Sequence, residues 1–174
     1  MKAETAQGLI AALDLRDGKV QRWIDLGAGQ GTFTEALAHF LPAESEILAI
    51  DQSHTSLQKI KPAIGTVQIR KQQGDFFEPP KGLSSIDGLL MANAFHYVKD
   101  KAAFIRMWEE VLAEEASFLI IEYDTQRSND WVPYPIRPKA LQELFYTMGY
   151  TSFKKLGETP SLYHNMIYAA QVRK

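Results

Sequence analysis

The sequence predicts an α/β fold in which a mostly parallel sheet lies between two layers of helices. Apolar, β-prone runs alternate along the chain with segments whose apolar residues recur every three or four positions, which is the pattern of strand, helix, strand units. Only three residues separate the last two β-prone runs, too few for a helical crossover, so these runs must pair antiparallel. We therefore predict a three-layer αβα sandwich with a seven-stranded, mostly parallel sheet that is closed by an antiparallel C-terminal hairpin.

The predicted strands are short runs rich in Val, Ile, Leu and aromatic residues. The first five end in a glycine, an aspartate or an asparagine, residue types that favour turns. Ligands of open α/β sheets bind outside the carboxyl ends of the parallel strands, so these five ends are the first place to look for a site. In chain order the runs cover residues 20–27, 46–51, 67–74, 86–93, 118–124, 151–158 and 162–173.

Helices are predicted in the intervals between the strands. Residues 99–115 contain the longest helical pattern, with an apolar stripe that includes Val111 and Leu112. Ser53 has the residue type of an N-cap, and Gly149 has that of a C-terminal stop. The other predicted helices cover residues 31–41, 53–64 and the segment from Arg137 to Gly149.

Length and charge restrict the class of protein. A chain of 174 residues that is 45% hydrophobic suits a single domain spanning 1–174. Within it we assign 1–19 to an N-terminal helical segment, 20–124 to a cofactor-binding core, and 125–174 to a substrate-side loop, the last helix and the hairpin. The net charge of −2, with acids and bases evenly mixed, provides no electrostatic footprint for nucleic acid or a membrane. We therefore expect neither nucleic acid nor a membrane as a partner. We expect the protein to be a monomer or a homodimer.

Residue usage indicates the compartment and argues against a metal site. The sequence has no cysteine, which excludes disulfides and thiolate metal ligands and fits a reducing compartment. No apolar run approaches the roughly 20 residues of a membrane span, and the first residues lack the apolar centre of a secretory signal. We therefore expect a cytoplasmic protein without a metal. The four histidines have no carboxylate-rich spacing around them; they are His39, His54, His96 and His164.

The segment DLGAGQG, residues 25–31, places three glycines at alternate positions directly after the first predicted strand. Glycine permits positive φ and lets a ligand touch the backbone, and the amides that open the next helix favour an anionic group. A dinucleotide-binding turn would need a glycine where Thr32 stands, and the carboxylate of Asp25 would repel a pyrophosphate. The loop therefore predicts a ligand with a positive charge and a small anionic end, and it disfavours a nicotinamide cofactor.

Two more acids stand at the ends of the next two strands. Asp51 ends the second strand, where an acid in such folds accepts hydrogen bonds from both hydroxyls of a ribose. Asp75 follows the third strand, and Phe76 beside it offers an apolar surface, so the two suit the exocyclic amine and the ring of a purine. Together with Asp25, these residues indicate a cationic cofactor that contains ribose and adenine.

Four segments, DLGAGQG, AIDQS, GDFF and MANAFHYVKD, resemble the motifs of class I S-adenosylmethionine-dependent methyltransferases. The resemblance extends over residues 20–124 and, through the terminal hairpin, to the whole fold. It implies an enzyme that uses S-adenosylmethionine, whose charges sum to +1, in agreement with the surplus of acids. It assigns the amino-acid end of the cofactor to Asp25, Gly27, Gly29 and Gly31, the ribose to Asp51, the adenine to Asp75 and Phe76, and the position beneath the sulfonium to Asn93, with Ala28, Thr32 and Gln52 completing the cofactor-binding set.

His96 is the predicted general base, since it follows the fourth strand near the expected methyl position and an imidazole suits proton removal at neutral pH. The alternative is that His96 is a packed loop residue without a chemical role. The sequence NAFHY lacks the Asn/Asp-Pro-Pro-Tyr/Phe pattern of methyltransferases that act on adenine or glutamine amides, and Asn93 replaces the acid of the metal-dependent catechol type. With no basic domain to anchor RNA, a small-molecule acceptor is favoured.

Four residues are predicted to contact that acceptor: Tyr97, Trp131, Tyr134 and Arg137. The aromatic rings of the loop suit a lid or a stacking surface, and Arg137 suits a substrate carboxylate. Alternatively, Trp131 and Tyr134 pack the loop onto the edge of the sheet. The segment before Val20 is expected to form the rest of the pocket roof. The alternative function is a catalytically silent S-adenosylmethionine-binding protein that acts as a sensor or as the partner subunit of an active enzyme.

Overall fold

One mixed sheet of eight strands organises the described residues, 1–15, 18–161 and 166–174, in a computed structural model. The strands are β1 (Arg22–Leu26), β2 (Glu46–Asp51), β3 (Ala63–Ile64), β4 (Val67–Gln73), β5 (Ile86–Ala92), β6 (Leu112–Tyr123), β7 (Ser152–Pro160) and β8 (Met166–Arg173). The helices are α1 (Ala3–Ile10), α2 (Thr32–Ala38), α3 (His54–Leu57), α4 (Lys101–Glu109) and α5 (Pro138–Thr147), with a single 3₁₀ turn at Phe95–Tyr97.

The strand order across the sheet is β3-β4-β2-β1-β5-β6-β8-β7. Strands β4, β2, β1, β5 and β6 run parallel, and β8 lies antiparallel between β6 and β7. The predicted mostly parallel sheet with an antiparallel C-terminal hairpin is therefore confirmed. The eighth strand is β3, a two-residue strand at the edge of the sheet, antiparallel to β4, that the sequence pattern did not predict.

Helices cover both faces of the sheet, so the described chain has the predicted three layers. On one face, Trp108 of α4 and Phe145 of α5 pack into one apolar core with Phe118 of β6. On the other face, α1, α2 and α3 enclose a second core that contains Trp23 and Leu37. No helix in the described residues is long and apolar enough to cross a membrane.

This arrangement brings the carboxyl ends of the parallel strands to one edge of the sheet. The glycine segment 27–31 follows β1, Asp51 ends β2, and Asp75 comes two residues after β4. Asn93 directly follows β5. The predicted site residues therefore lie on the edge where open α/β sheets bind their ligands.

The predicted helix over residues 99–115 is too long, and the strand predicted at 118–124 is too short. α4 ends at Glu109, and β6 begins at Leu112, which pairs with Ile86 of β5. Residues 113–116 form an irregularity, after which regular pairing resumes at Ser117. Strand pairing with β5 thus overrides the helical propensity of the segment EEVLAEE.

The predicted helix over residues 53–64 is also shorter than expected. Ser53 is the N-cap, since its side chain accepts a hydrogen bond from the amide of Ser56, but α3 ends at Leu57. Pro62 disfavours helical backbone before it, and its carbonyl accepts a hydrogen bond from the Ile69 amide of β4. The start of the last predicted strand, residues 162–165 with His164, lies outside the described residues.

A close contact between Gly88 and Trp23 in the sheet generates the first prediction. A Cβ at Gly88 would lie 2.5 Å from three ring carbons of Trp23, which is buried. Gly88→Ala must therefore displace a packed indole, and we expect a loss of about 1–3 kcal/mol in the free energy of unfolding, measured by urea denaturation.

Gly8→Ala is the matched control. Gly8 lies in α1, and a Cβ there would meet no atom within 4 Å. Alanine is the better helix former, so this variant should be neutral or stabilised by up to about 1 kcal/mol. Equal stabilities of the two variants would contradict the contact with Trp23.

Candidate cofactor and acceptor site

The three glycines of residues 25–31 form the turn between β1 and α2, as predicted. All three have positive φ: +76° at Gly27, +54° at Gly29 and +83° at Gly31. The amides of Gly27 and Ala28 both donate hydrogen bonds to the Ile50 carbonyl of β2, at 2.9 and 3.0 Å. The turn is therefore tied to the end of the neighbouring strand.

Two of these glycines are also required by their neighbours. A Cβ at Gly27 would lie 2.8 Å from the Cβ of Ala94, and one at Gly31 would lie 2.7 Å from the side chain of Ile60. At Gly29, in contrast, a Cβ would meet no atom within 4 Å. Gly29 thus combines a left-handed backbone with open space, which is the geometry of a backbone segment that a ligand can approach.

Hydrogen bonds link Asp51, at the end of β2, to this turn, and link Asp75, after β4, to the segment that follows β2. Asp51 accepts hydrogen bonds from the amides of Gly29 and Ser53, both at 2.8 Å. The side-chain Nε2 of Gln52 donates a hydrogen bond to Oδ2 of Asp75 at 3.1 Å, and Oδ1 of Asp75 accepts one from the backbone amide of Phe77 at 2.9 Å. A carboxylate has about four acceptor positions, so both acids retain capacity for a ligand.

Asp25 is buried at the end of β1, and only 1% of it is exposed. Its Oδ2 accepts a hydrogen bond of 2.5 Å from the hydroxyl of Thr34 in α2, while its Oδ1 has no partner within the described residues. Burial raises the pKa of the Asp25 carboxyl from 3.8 to about 7; the Thr34 hydrogen bond opposes this shift, and the charge of Asp51 adds to it. An acceptor atom of Asp25 is therefore available beneath the glycine turn.

Asn93 adopts a left-handed conformation, with φ of +51°, directly after β5. Its amide donates to the Ile121 carbonyl of β6 at 2.8 Å, which fixes the backbone. Its side-chain oxygen is buried and has no partner among the described residues. An unpaired buried oxygen is costly, so its presence beside the strand ends indicates a site that a donor group completes.

His96 is buried against Glu122, the residue before the end of β6. The imidazole Nδ1 lies 3.0 and 2.9 Å from the two carboxylate oxygens of Glu122. Glu122 also accepts hydrogen bonds from the amides of His96 and Tyr123, at 3.0 and 3.2 Å. A carboxylate can only accept here, so Nδ1 carries the proton and the lone pair of a neutral ring is on Nε2.

A cavity of about 540 Å³ adjoins this pair. Asn93 and His96 both line it, and Ala94 between them is the residue that Gly27 approaches. The cavity therefore begins next to the glycine turn. Its lining residues are Asn93, His96, Tyr97, Tyr123, Thr125, Arg127, Asn129, Trp131 and Val132.

Two of the four predicted acceptor contacts line the cavity, namely Tyr97 and Trp131, the latter 80% exposed. Tyr134 instead supports the wall: its amide donates to the His96 carbonyl at 3.0 Å, and its carbonyl accepts from Nζ of Lys101 at 2.8 Å. Arg137 pairs through Nε with Asp124 at 2.7 Å. Their contacts to an acceptor stay predictions.

The segment before Val20 does not form the expected roof in the described residues. α1 packs into the second core, and a Cβ at Gly157 of β7 would lie 3.0 Å from the Leu9 carbonyl of this helix. No described residue before Val20 lines the cavity. The reason is that the apolar residues of α1 are buried against α2 and the sheet face, away from the strand ends.

Sequence reasoning missed Glu122 and three polar residues of the cavity wall. Glu122 interrupts the apolar run FLIIEY, and a charged residue inside a strand that is otherwise buried is a usable signal of a paired site. Thr125, Arg127 and Asn129 belong to an irregular loop, where no periodicity distinguishes cavity-lining positions. Among the described residues, no cluster of three or more His, Cys, Asp or Glu side chains could hold a metal ion.

These observations suit the cofactor that the motifs imply. The open space at Gly29 can admit a ligand against the backbone, and the unpaired oxygens of Asp25 and Asn93 can each accept a hydrogen bond. The half-buried acids Asp51 and Asp75 favour a ligand with hydroxyl and amine donors. The residues present therefore fit a cationic nucleoside such as S-adenosylmethionine.

Several solved structures share this fold. A methyltransferase from Mesorhizobium loti described as S-adenosylmethionine-dependent is 18% identical, with a TM-score of 0.73 over 99% of this chain and 100% of that chain. One from Archaeoglobus fulgidus is 12% identical, with a TM-score of 0.72 over 99% and 95%. Magnesium protoporphyrin IX methyltransferase from Synechocystis, solved with bound S-adenosylmethionine, is 13% identical, with a TM-score of 0.70 over 99% and 79%. No curated protein matches the sequence.

A family model described as "Methyltransferase domain" matches residues 24–120, more than half of the chain. The match contains β1, β2, β4 and β5 with the glycine turn and the acids that follow these strands. The chain therefore belongs to the methyltransferase-domain family, and its class I fold and the family's cofactor, S-adenosylmethionine, are as predicted from the sequence.

Proposed function

We propose that the protein is an enzyme that transfers a methyl group from S-adenosylmethionine to a small-molecule acceptor. The observation that carries this proposal is the position of His96, held by Glu122, in the wall of a cavity that adjoins the glycine turn. The cavity volume of about 540 Å³ falls in the range of roughly 300–1,000 Å³ that is typical of small-molecule sites. The structural neighbour from Synechocystis is named for a small-molecule acceptor, which is consistent with this class.

The residues of the glycine turn and the strand ends hold the cofactor in this proposal. Asp25, Gly27, Ala28, Gly29, Gly31 and Thr32 hold its amino-acid end, Asp51 and Gln52 the ribose, Asp75 and Phe76 the adenine, and Asn93 the region of the sulfonium. When bound, the cofactor supplies a methyl group on an activated leaving group. The protein's remaining tasks are to orient the acceptor and to exclude water.

His96 is the general base of the proposal. Glu122 accepts a hydrogen bond from Nδ1–H and thereby keeps the basic nitrogen at Nε2. As an acceptor atom is methylated, Nε2 takes the proton that this atom loses, and Glu122 stabilises the imidazolium that forms. His96 is thus the catalytic residue, and Glu122 is a positioning residue that acts through it.

A cofactor-binding protein without transferase activity is the alternative, and the same site distinguishes the two. A sensor requires the cofactor-binding residues but has no use for a buried imidazole that a carboxylate orients at the wall of a cavity beside them. The pair therefore favours the enzyme. Tight cofactor binding without transfer to any acceptor would favour the sensor.

Gly29 provides a test of the cofactor-binding turn. Gly29→Ala would place a methyl group in the space assigned to the cofactor, so we expect the affinity for S-adenosylhomocysteine, measured by calorimetry, to fall by about tenfold or more. Gly65→Ala is the matched control, because Gly65 has φ of +57° and equally open surroundings in the turn between β3 and β4. Both variants should lose about 1 kcal/mol of stability through backbone strain. Similar affinities of the two variants for S-adenosylhomocysteine would contradict the assignment of the space at Gly29 to the cofactor.

Asp25 predicts a pH dependence of cofactor binding. Its pKa of about 7 leaves the carboxyl largely neutral below that pH, whereas the ammonium group of the ligand favours the carboxylate. The affinity for S-adenosylhomocysteine should therefore rise as the pH passes from below to above 7. The pKa of Asp25 is raised only in the folded state, where the buried carboxyl favours its neutral form. Between pH 4 and 7 the unfolded chain loses this proton more readily than the folded protein, so the free energy of unfolding should fall as the pH rises from about 4 through 7.

Asp25→Asn is the comparison that isolates this carboxyl. Asparagine keeps the shape of the side chain but does not titrate. The variant should show a weaker pH dependence than the natural protein both in affinity, by calorimetry, and in the free energy of unfolding, by urea denaturation. Identical pH profiles of the two proteins would assign the dependence to another group.

The general-base role of His96 is tested by transfer itself. A metabolite extract is incubated with the protein and S-adenosylmethionine, and the acceptor is identified by mass spectrometry as the compound that gains one CH₂ unit. His96→Asn should lower the turnover rate by about 10²–10⁴-fold with an unchanged affinity for S-adenosylhomocysteine. His39→Asn, at an exposed histidine outside the cavity, should leave both unchanged. Full activity of His96→Asn would refute the role of the base.

A further inference from the structure

The charge of the acceptor cavity is unbalanced. Of the nine described residues that line it, Arg127 alone carries a permanent charge, and none of the nine is an aspartate or a glutamate. The backbone amide of Arg127 donates to the Thr125 hydroxyl at 3.1 Å. Its guanidinium makes no hydrogen bond or ion pair with the residues that the structure describes. Arg127 is exposed, so the cavity wall offers a solvent-accessible guanidinium whose five donors are not taken by other described residues.

The acids near the cavity do not neutralise Arg127, because each is engaged elsewhere or lies outside the wall, and the nearby cation Lys101 is engaged as well. The carboxylate of Glu122 accepts from His96 and from two backbone amides. Asp124 is paired with Arg137, and Asp130, although in the same loop, does not line the cavity. The ammonium group of Lys101 donates to two carbonyls, those of Val98 and Tyr134.

The rest of the wall suits a planar molecule. Tyr97, Tyr123 and Trp131 line the cavity, and aromatic side chains of this kind contact flat organic rings with a large apolar surface. Trp131 is mostly exposed, so it lies at the rim and retains surface for an incoming ligand. The remaining wall adds the small polar side chains of Thr125 and Asn129.

We propose that the methyl acceptor is a small, planar organic anion whose carboxylate or phosphate pairs with Arg127, while the atom to be methylated faces Nε2 of His96. The inference rests on the proposed function and adds the substrate class to it. A planar guanidinium binds carboxylate and phosphate through two parallel hydrogen bonds, which provides orientation as well as attraction. Arg127 is thus a specificity-determining residue, in place of the predicted Arg137, whose guanidinium pairs with Asp124.

The experiment divides the metabolite extract on an anion-exchange resin into a retained, anionic fraction and an unretained fraction. Each fraction is incubated with the protein and S-adenosylmethionine, and methylated products are detected by mass spectrometry. The expected product arises from the retained fraction alone. Prior treatment of that fraction with alkaline phosphatase distinguishes the two anions: loss of the product identifies a phosphate, and its persistence identifies a carboxylate.

Arg127→Gln and Arg106→Gln are then compared with that acceptor. Arg106 is an exposed arginine on α4 outside the cavity, so it controls for the loss of one positive charge. Arg127→Gln should lower kcat/KM by about ten- to a hundredfold, mainly through KM, since a charge-assisted pair is lost. Arg106→Gln should retain the natural value, and both variants should bind S-adenosylhomocysteine normally.

Each outcome decides between the inference and the function on which it rests. A product that arises from the unretained fraction, or equal kinetics of the two variants, overturns the anionic acceptor and leaves methyl transfer to a small molecule standing. The absence of a product from both fractions, with normal cofactor binding, overturns the proposed function and the inference together. A lower kcat/KM of Arg127→Gln for the anionic acceptor, with normal binding of S-adenosylhomocysteine and normal kinetics of Arg106→Gln, supports both the inference and the proposed function.

Discussion

The close approach between Gly27 and Ala94 is the constraint on which the site depends. A Cβ at Gly27 would lie 2.8 Å from that of Ala94, and the same residue has φ of +76°. Both the lack of space and the left-handed backbone demand glycine, so no other residue type fits without strain. The approach joins the turn after β1 to the residues after β5, which include Asn93 and His96. The glycine turn, where we propose the cofactor binds, and the wall of the proposed acceptor cavity therefore share a boundary.

Two carboxyl groups buried near the carboxyl ends of the strands differ in their hydrogen bonds, and the difference indicates different roles. Glu122 accepts hydrogen bonds from two amides and from the imidazole of His96, so both of its oxygens are satisfied within the protein. Asp25 accepts one hydrogen bond, from Thr34, and its second oxygen has no partner among the described residues. Glu122 thus serves a neighbouring side chain, whereas Asp25 keeps an acceptor atom that a donor from outside can complete, as the proposed cofactor site requires.

The features that the sequence predicted correctly are those specified by local pattern. The glycine turn, the N-cap at Ser53 and the hairpin each follow from a few adjacent residues. Glu122 lies 26 positions from His96, and no periodicity links the two, so their pairing follows from the adjacency of β5 and β6. The segment at 110–115 has helical propensity, yet the helix ends before it and the strand begins at Leu112, which pairs with Ile86. In such cases the chain's conformation is decided by contacts remote in sequence.

The loop that forms part of the cavity wall and the turn that carries His96, the proposed base, are one hydrogen-bonded unit. The carbonyl of His96 accepts a hydrogen bond from the amide of Tyr134. Nζ of Lys101 donates hydrogen bonds to the carbonyls of Val98 and Tyr134, at 2.7 and 2.8 Å. Burial lowers the pKa of Lys101 to about 8, with the charge of Glu122 opposing the shift, so its ammonium form is sustained by the carboxylate that also orients His96. A movement of the loop at Tyr134 therefore displaces the backbone of the base. Because of this linkage, a change at Tyr134 that breaks these hydrogen bonds also alters the position of Nε2, so KM and kcat respond together, whereas the side chain of Arg127 takes no part in the linkage.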